Sequence, residues 1–204
     1  MDYVVALGRR QRKRQDLHQR LLDVSKRLFK ERGIARTTVD DLAEVADVAR
    51  QTVFNHFPYK EAIAVELASE GIQRVAQRAH ALLEAGVSAL DVLERTAEWV
   101  LDAALEDGEL AVVVARELLH PDPGRALRAA QQVPLREIFE AILVQAREEG
   151  AVRNDLPVDV VASRIAAVLR SIIAQVLGSD VEQLRRELTV CFDMVFNGIR
   201  DRSN

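Results

Sequence analysis

Between residues 50 and 60 the chain gathers side chains with the chemistry to read a nucleic-acid duplex. Arg50 can fork onto O6 and N7 of guanine, Gln51 can pair with adenine, and Thr52 can touch a thymine methyl or a phosphate. Asn55 falls one turn further along the same side, and His56 and Lys60 close the run where phosphates would pass. Such groups reach base edges only if a short helix offers its N-terminal end to a major groove. The flanking residues must therefore hold that helix in place.

They have the pattern to do so. Thr38 followed three residues later by Asp41 resembles a capping box. Val39, Leu42, Ala43 and Ala46 give the helix that follows one small apolar face. Asp47 is a turn residue that tolerates a left-handed backbone. Val48 is apolar inside the turn and is expected to pin it to the core. A second helix over about 50–56 turns Val53 and Phe57 inward. Two short helices joined by about three residues around an apolar turn residue make a helix-turn-helix. Ahead of them Leu17, Leu21, Val24 and Leu28 mark one face of a helix over about 12–32, ended by Gly33 and preceded by the basic arm Arg9-Arg10-Gln11-Arg12-Lys13-Arg14. An ordinary structural helix pair fits the same spacing. Five polar side chains, Arg50, Gln51, Thr52, Asn55 and His56, beside a basic arm favour DNA.

Charge points the same way. Residues 1–60 carry 13 Lys and Arg against 8 Asp and Glu, whereas the rest of the chain carries 15 against 24. A basic head on an acidic body suits a polyanion at the head alone. The 204 residues are 49% hydrophobic and 29% charged, an ordinary globular composition for one or two domains. No run approaches the roughly 18 apolar residues of a membrane span, and the Tyr3–Leu7 stretch is too short for a signal peptide and has its basic residues behind it. The chain is expected to be soluble and cytoplasmic.

Beyond residue 59 helical periodicity continues without a confident strand, so the fold class is all-α. Helices are expected over about 59–85, from Ser88 as a cap to Asp107-Gly108, over 109–119, over 125–133 after the Pro121-Asp122-Pro123-Gly124 loop, from Pro134 to Gly150, over 158–177 and over 180–200. The last two carry wide apolar stripes: Val161, Ile165, Val168 and Ile172 on one, Leu184, Leu188, Cys191 and Val195 on the other. Stripes that wide belong to a central helix or to one covered by a partner, which makes them candidates for a subunit interface.

Other chemistries find little support. The single cysteine, Cys191, rules out an intrachain disulfide and a CxxC zinc site. Glu117-x-x-His120 matches di-iron spacing, but no second such pair exists, and His18, His56, His80 and His120 lack zinc spacing. No nucleophile elbow, Walker loop or dinucleotide loop is present, so neither an enzyme nor a cofactor is expected.

Residues 12–67 resemble the DNA-binding domain of the tetracycline-repressor (TetR) family. The likeness rests on Gly33, Thr37-Thr38-Val39, Asp41-Leu42-Ala43, Ala46-Asp47-Val48, Thr52-Val53-Phe54, His56-Phe57 and Lys60-Glu61. It covers about a quarter of the chain, and Gly150-Ala151-Val152-Arg153 with Asp155 extends it. The resemblance implies a DNA-binding domain over 1–58, a ligand-binding and dimerisation domain over 59–204, and a homodimer whose last two helices form a four-helix interface. It also implies ligand-sensitive operator binding, usually repression. By position, Thr38, Arg50, Gln51, Thr52, Phe54, Asn55, His56 and Lys60 fall where the family contacts DNA. Phe54 stands where tyrosine is usual, Asp47 replaces the turn glycine, Ala49 replaces a serine or threonine cap, and Tyr59 replaces a polar cap. Within that frame Leu67, Trp99, Val100, Ala103, Val113, Phe139, Ile142 and Leu143 are expected to line a pocket for an apolar or amphipathic effector. The competing possibility is an all-α ligand-binding or oligomerisation module whose helix-turn-helix is only structural.

Overall fold

A computed structural model describes residues 8–175 and 180–199. The apolar run 3–7, Val176, the side chain of Phe196 and the helix limits expected at 177 and 200 lie outside the described residues. Ten helices and no strand are found among them. The chain divides into two units after Leu67, inside its fourth helix and past the boundary expected at residue 58.

The first unit holds α1 (Arg9–Arg32), α2 (Val39–Val45), α3 (Arg50–His56) and the opening turns of α4 (Lys60–Glu84). Leu21, Leu28, Leu42, Ala46, Val53, Phe57 and Ile63 are its buried centre. Ile63 and Ala64 belong to that core, which is why the division falls within α4 rather than before it. The basic arm does not precede α1. Arg9 to Arg14 form its first turns, exposed, because Arg, Lys and Gln are good helix formers and nothing in the run interrupts them. Gly33 ends α1 at φ 81° and ψ 157°, a backbone region that only glycine enters readily.

The second unit continues α4 and adds α5 (Ala89–Glu106), α6 (Gly108–Leu118), α7 (Pro123–Gln132), α8 (Leu135–Glu148), α9 (Val158–Ile173) and α10 (Val181–Ile199). Its core forms where α8 packs on α5 and α9, around Leu93, Leu101, Phe139, Ile142, Leu143, Ile165 and Leu169. Side chains set the joints. Asp107 ends α5 and caps α6 by accepting from Leu110 N–H at 3.1 Å. Asp122 accepts from Arg125 and Gly124 N–H, and these bonds hold its carboxyl below the usual range. Pro123 and Gly124 are therefore the first turn of α7 rather than loop, with proline at the helix start, where its missing N–H is harmless.

Ser88 does not cap α5 with its side chain as expected. The Glu149 carboxylate, sixty residues away, accepts from Ala89 N–H at 3.0 Å instead. Glu117 is buried and paired with the Arg125 guanidinium across α6 and α7, while His120 Nδ1 accepts from Asp122 N–H. The Glu-x-x-His spacing thus serves two separate structural bonds. No helix among the described residues is long and apolar enough to cross a membrane.

Candidate nucleic-acid interface

The candidate surface is built on α2, the turn and α3. Thr38 Oγ1 accepts from Asp41 N–H at 3.1 Å, and Thr38 N–H donates to Asp41 Oδ2 at 2.8 Å, a reciprocal capping box. The hydroxyl of Thr38, then its N–H, then the charge of Arg32 hold the Asp41 carboxyl below its usual range. At the other end of α2, Val48 N–H bonds Ala43 O and Asp47 N–H bonds Glu44 O, with Asp47 at φ 52°. This is a Schellman turn with aspartate in the left-handed position that glycine favours. Arg20 of α1 donates to the Ala46 carbonyl and ties the turn to α1. The side chain of Val48 is half-buried beneath the turn.

From that turn α3 starts at Ala49, which has no side-chain cap. Val53 and Phe57 bury one face, leaving Arg50, Gln51 and Asn55 exposed and Thr52, Phe54 and His56 half-buried. The sequence places these groups on one helix, and in the structure Arg50, Gln51, Asn55 and His56 already have company. Arg50 Nη1 lies 2.8 and 3.0 Å from the Asp40 carboxylate oxygens, and its guanidinium sits 5.5 Å from the Phe54 ring centre. Gln51 Nε2 donates to Asn55 Oδ1 at 3.3 Å. Thr38 is exposed at the start of α2.

Lys60 differs from expectation. It opens α4 as expected, but its ammonium donates to the carbonyls of Ile34 (2.6 Å) and Thr37 (2.9 Å), clamping the segment between α1 and α2. An ammonium carries three donors, so one remains beyond the clamp. Asp40, Arg20, His18 and Glu66 also shape this surface and were not singled out from the sequence. Their partners lie 10 to 48 residues away, beyond any local spacing rule.

In the second unit Val100, Phe139, Ile142 and Leu143 are core side chains with almost no exposure. Ala103 and Val113 are half-buried, and Leu67 ends the first unit. Trp99 is half-buried on the flank of α5, with the Arg78 guanidinium 4.4 Å from its ring centre. The expected interface stripes divide in two. Ile165, Ile172, Leu184 and Leu188 are buried by their own chain and act as core. Val161, Val168, Cys191 and Val195 keep partial exposure. The bare apolar surface on α9 and α10 includes Val160, Val181, Val190 and Met194, the last two 57% and 70% exposed. Arg185 of α10 bonds Asp102 of α5 at 2.6 Å, so α10 turns its buried side toward α5 and α9 and its valines outward.

A capped helix, a left-handed turn and a second helix with Arg, Gln and Asn on its open side define a helix-turn-helix DNA-binding protein. Residues 21–67 match the bacterial regulatory proteins of the tetR family, and residues 69–198 match the C-terminal domain of TetR/AcrR family transcriptional repressors. The chain belongs to the TetR/AcrR family. It is a transcriptional repressor and not an enzyme. It is 26% identical to the transcriptional repressor AcnR of Corynebacterium efficiens, covering 89% of this chain and 92% of that one. It is 25% identical to the repressor KstR2 of Rhodococcus jostii over 68% of this chain and 69% of that one. Among solved structures, the FadR repressor of Thermus thermophilus in complex with lauroyl-CoA superposes with a TM-score of 0.83 and 27% identity, covering 92% of this chain and 97% of that one.

Proposed function

We propose that the chain works in the cytoplasm as a homodimer that grips an approximately palindromic operator with two copies of α3 and lets go on binding a fatty acyl thioester. The observation that carries the DNA half is the open edge of α3, where Arg50, Gln51 and Asn55 stand exposed over a helix seated by Val53 and Phe57. Arg50 and Gln51 lie at the end of α3 that enters a major groove first. Thr38, Thr52, Phe54, His56 and the remaining proton of Lys60 serve the flanking backbone. One dyad fixes two heads, so the half-sites repeat with its symmetry.

The effector half is supported by the likeness to the lauroyl-CoA-bound repressor and by the aliphatic interior of the second unit. An acyl chain suits side chains such as Val100, Val113, Phe139, Ile142 and Leu143, with Trp99 and Ala103 at the flank. Ligand works by binding one arrangement of the dimer better than the other. The test is enrichment of duplexes from a random pool by the purified full chain, with and without lauroyl-CoA. Palindromic sites that lose affinity as lauroyl-CoA is added are expected. Enrichment of single half-sites, or an affinity indifferent to lauroyl-CoA while Trp99 fluorescence changes, would overturn the corresponding half.

A further inference from the structure

At the far end of α3 from Arg50, three titratable groups from three helices stand in a row. Glu66 of α4 places Oε1 2.6 Å from Nε2 of His18 on α1, and His18 Nδ1 lies 3.2 Å from Nδ1 of His56, the last residue of α3. The His18 ring stacks on Phe57 at 4.6 Å between centres, which fixes its plane. We infer that His18 and Glu66 are positioning residues for the recognition helix: they set His56 so that its Nε2 carries a proton and donates to a DNA phosphate. The inference rests on the proposed DNA contact by His56 and adds the residues that make that contact possible.

Counting protons gives the reason. A carboxylate only accepts, so His18 Nε2 carries a hydrogen toward Glu66. Two nitrogens 3.2 Å apart share one hydrogen. When the histidine pair holds one positive charge, both Nε2 atoms are N–H groups and His56 can donate to a phosphate. When the pair is neutral, the shared hydrogen belongs to His56 Nδ1 and its Nε2 is a bare lone pair, which repels a phosphate oxygen. When both rings are charged, two hydrogens face each other and the bond between the rings is lost. The singly charged pair is therefore the binding form.

The Glu66 carboxylate lies 2.6 Å from His18 Nε2. His56 is held below its ordinary value by burial first, then by the charges of His18 and Arg14. His18 and Arg14 of α1 are the charged groups that bear on His56, and Glu66 of α4 reaches it through His18. Asp40 of α2 is occupied by Arg50 at the opposite end of α3.

The test uses the full-length chain labelled with 15N-histidine. Long-range proton–nitrogen correlation reports which ring nitrogen is protonated, with signals assigned by single His→Gln variants. Near neutral pH, His56 should show a protonated Nε2 and an accepting Nδ1. Glu66→Gln keeps an acceptor for His18 but removes the charge, so the pair should take its first proton at lower pH and His56 should switch to the Nδ1–H form. A parallel series measures affinity for a duplex enriched from a random pool between about pH 6 and pH 8. The pH at which affinity falls should move down with the Gln variant, leaving it about three- to ten-fold weaker above neutrality and equal to wild type at the acid end. A wild-type His56 protonated on Nδ1, or a Glu66→Gln titration unchanged from wild type, overturns the positioning role. A shifted titration with an unshifted affinity profile overturns the phosphate contact alone. Failure to enrich any duplex counts against the DNA reading, and the nitrogen spectra still decide the relay.

Discussion

The outer edge of α3 and the outer face of α10 are both exposed, yet they hold their groups in opposite conditions. On α3 and beside it the polar ends have partners within their own unit: Arg50 with Asp40, Gln51 with Asn55, His56 with His18, Lys60 with two carbonyls. On α10, Val190 and Met194 stand in water, with Val160 of α9 and Val181 exposed as well. A paired polar surface can wait in water and exchange one partner for another, so its affinity is a difference between two satisfied states. An apolar surface has no such exchange and gains only by burial, about 1.5–3 kcal/mol for each side chain fully covered. Substitutions on α3 should therefore tune binding, and substitutions on α10 should decide whether a dimer exists.

The largest effect is expected on α10. Val190→Glu and Met194→Glu should each place a charge in the proposed interface, where an unpaired charge is strongly disfavoured, and sedimentation should show monomers that stay folded. Leu188→Glu is a different experiment. Leu188 is 5% exposed within its own chain, so a carboxylate there strikes the core and the melting transition should be lost or greatly lowered. A dimer of unchanged mass in both exposed variants would remove α10 from the interface and erase the contrast with α3.

The second effect separates two cations on the DNA side. Arg50→Ala should cost about 1–3 kcal/mol per half-site and relax preference at one base pair, with little change in melting, because an exposed ion pair is worth about 0–1 kcal/mol. Asp40→Ala should raise affinity by releasing Arg50 from its resting partner. Lys60→Ala should weaken all duplexes alike and flatten the salt slope by about one unit, and unlike Arg50→Ala it should also lower the melting temperature, since two carbonyls lose their donor. Affinity series over single-base operator variants at several salt concentrations, with melting curves for each protein, check all three. If Lys60→Ala altered base preference while Arg50→Ala lowered every affinity uniformly, α3 would be turned the wrong way in the groove.

What the sequence made legible divides along the same line as these two surfaces. Contacts within a few residues were readable because local spacing carries them: the Thr38–Asp41 box, the left-handed Asp47, the uncapped start at Ala49 and the inward Val53 and Phe57. The helical character of the Val112–Val114 run was readable for the same reason. Contacts between distant residues were not. Nothing near Ser88 reveals that Glu149 will take the N–H at the start of α5, and nothing near Lys60 reveals the Ile34 and Thr37 carbonyls. Periodicity showed that α9 and α10 are apolar over wide arcs, but it cannot say which part of an arc the chain covers itself. Ile165, Ile172, Leu184 and Leu188 are buried within their own chain, and Val160, Val190 and Met194, outside the expected stripes, are exposed.

The smallest effect tests the turn that aims α3. Asp47 sits at φ 52° at the end of α2, a conformation that costs most L-residues about 1–2 kcal/mol and glycine nearly nothing. It also adds a negative charge to the helix-turn-helix. Asp47→Gly removes both features, whereas Asp47→Asn removes the charge and keeps a residue that tolerates the same backbone. Glycine also gives the unfolded chain more freedom, which offsets part of the relieved strain, so the net gain in stability should be below about 1 kcal/mol. Asparagine should leave melting nearly unchanged. Both variants should bind duplex DNA somewhat more tightly at low salt, and the gain should fade as salt rises and screens the lost repulsion. Melting curves and affinities at two salt concentrations separate the causes. If glycine alone tightened binding, and did so equally at both salt concentrations, the backbone of the turn would govern the aim of α3 and the charge of Asp47 would be irrelevant to it.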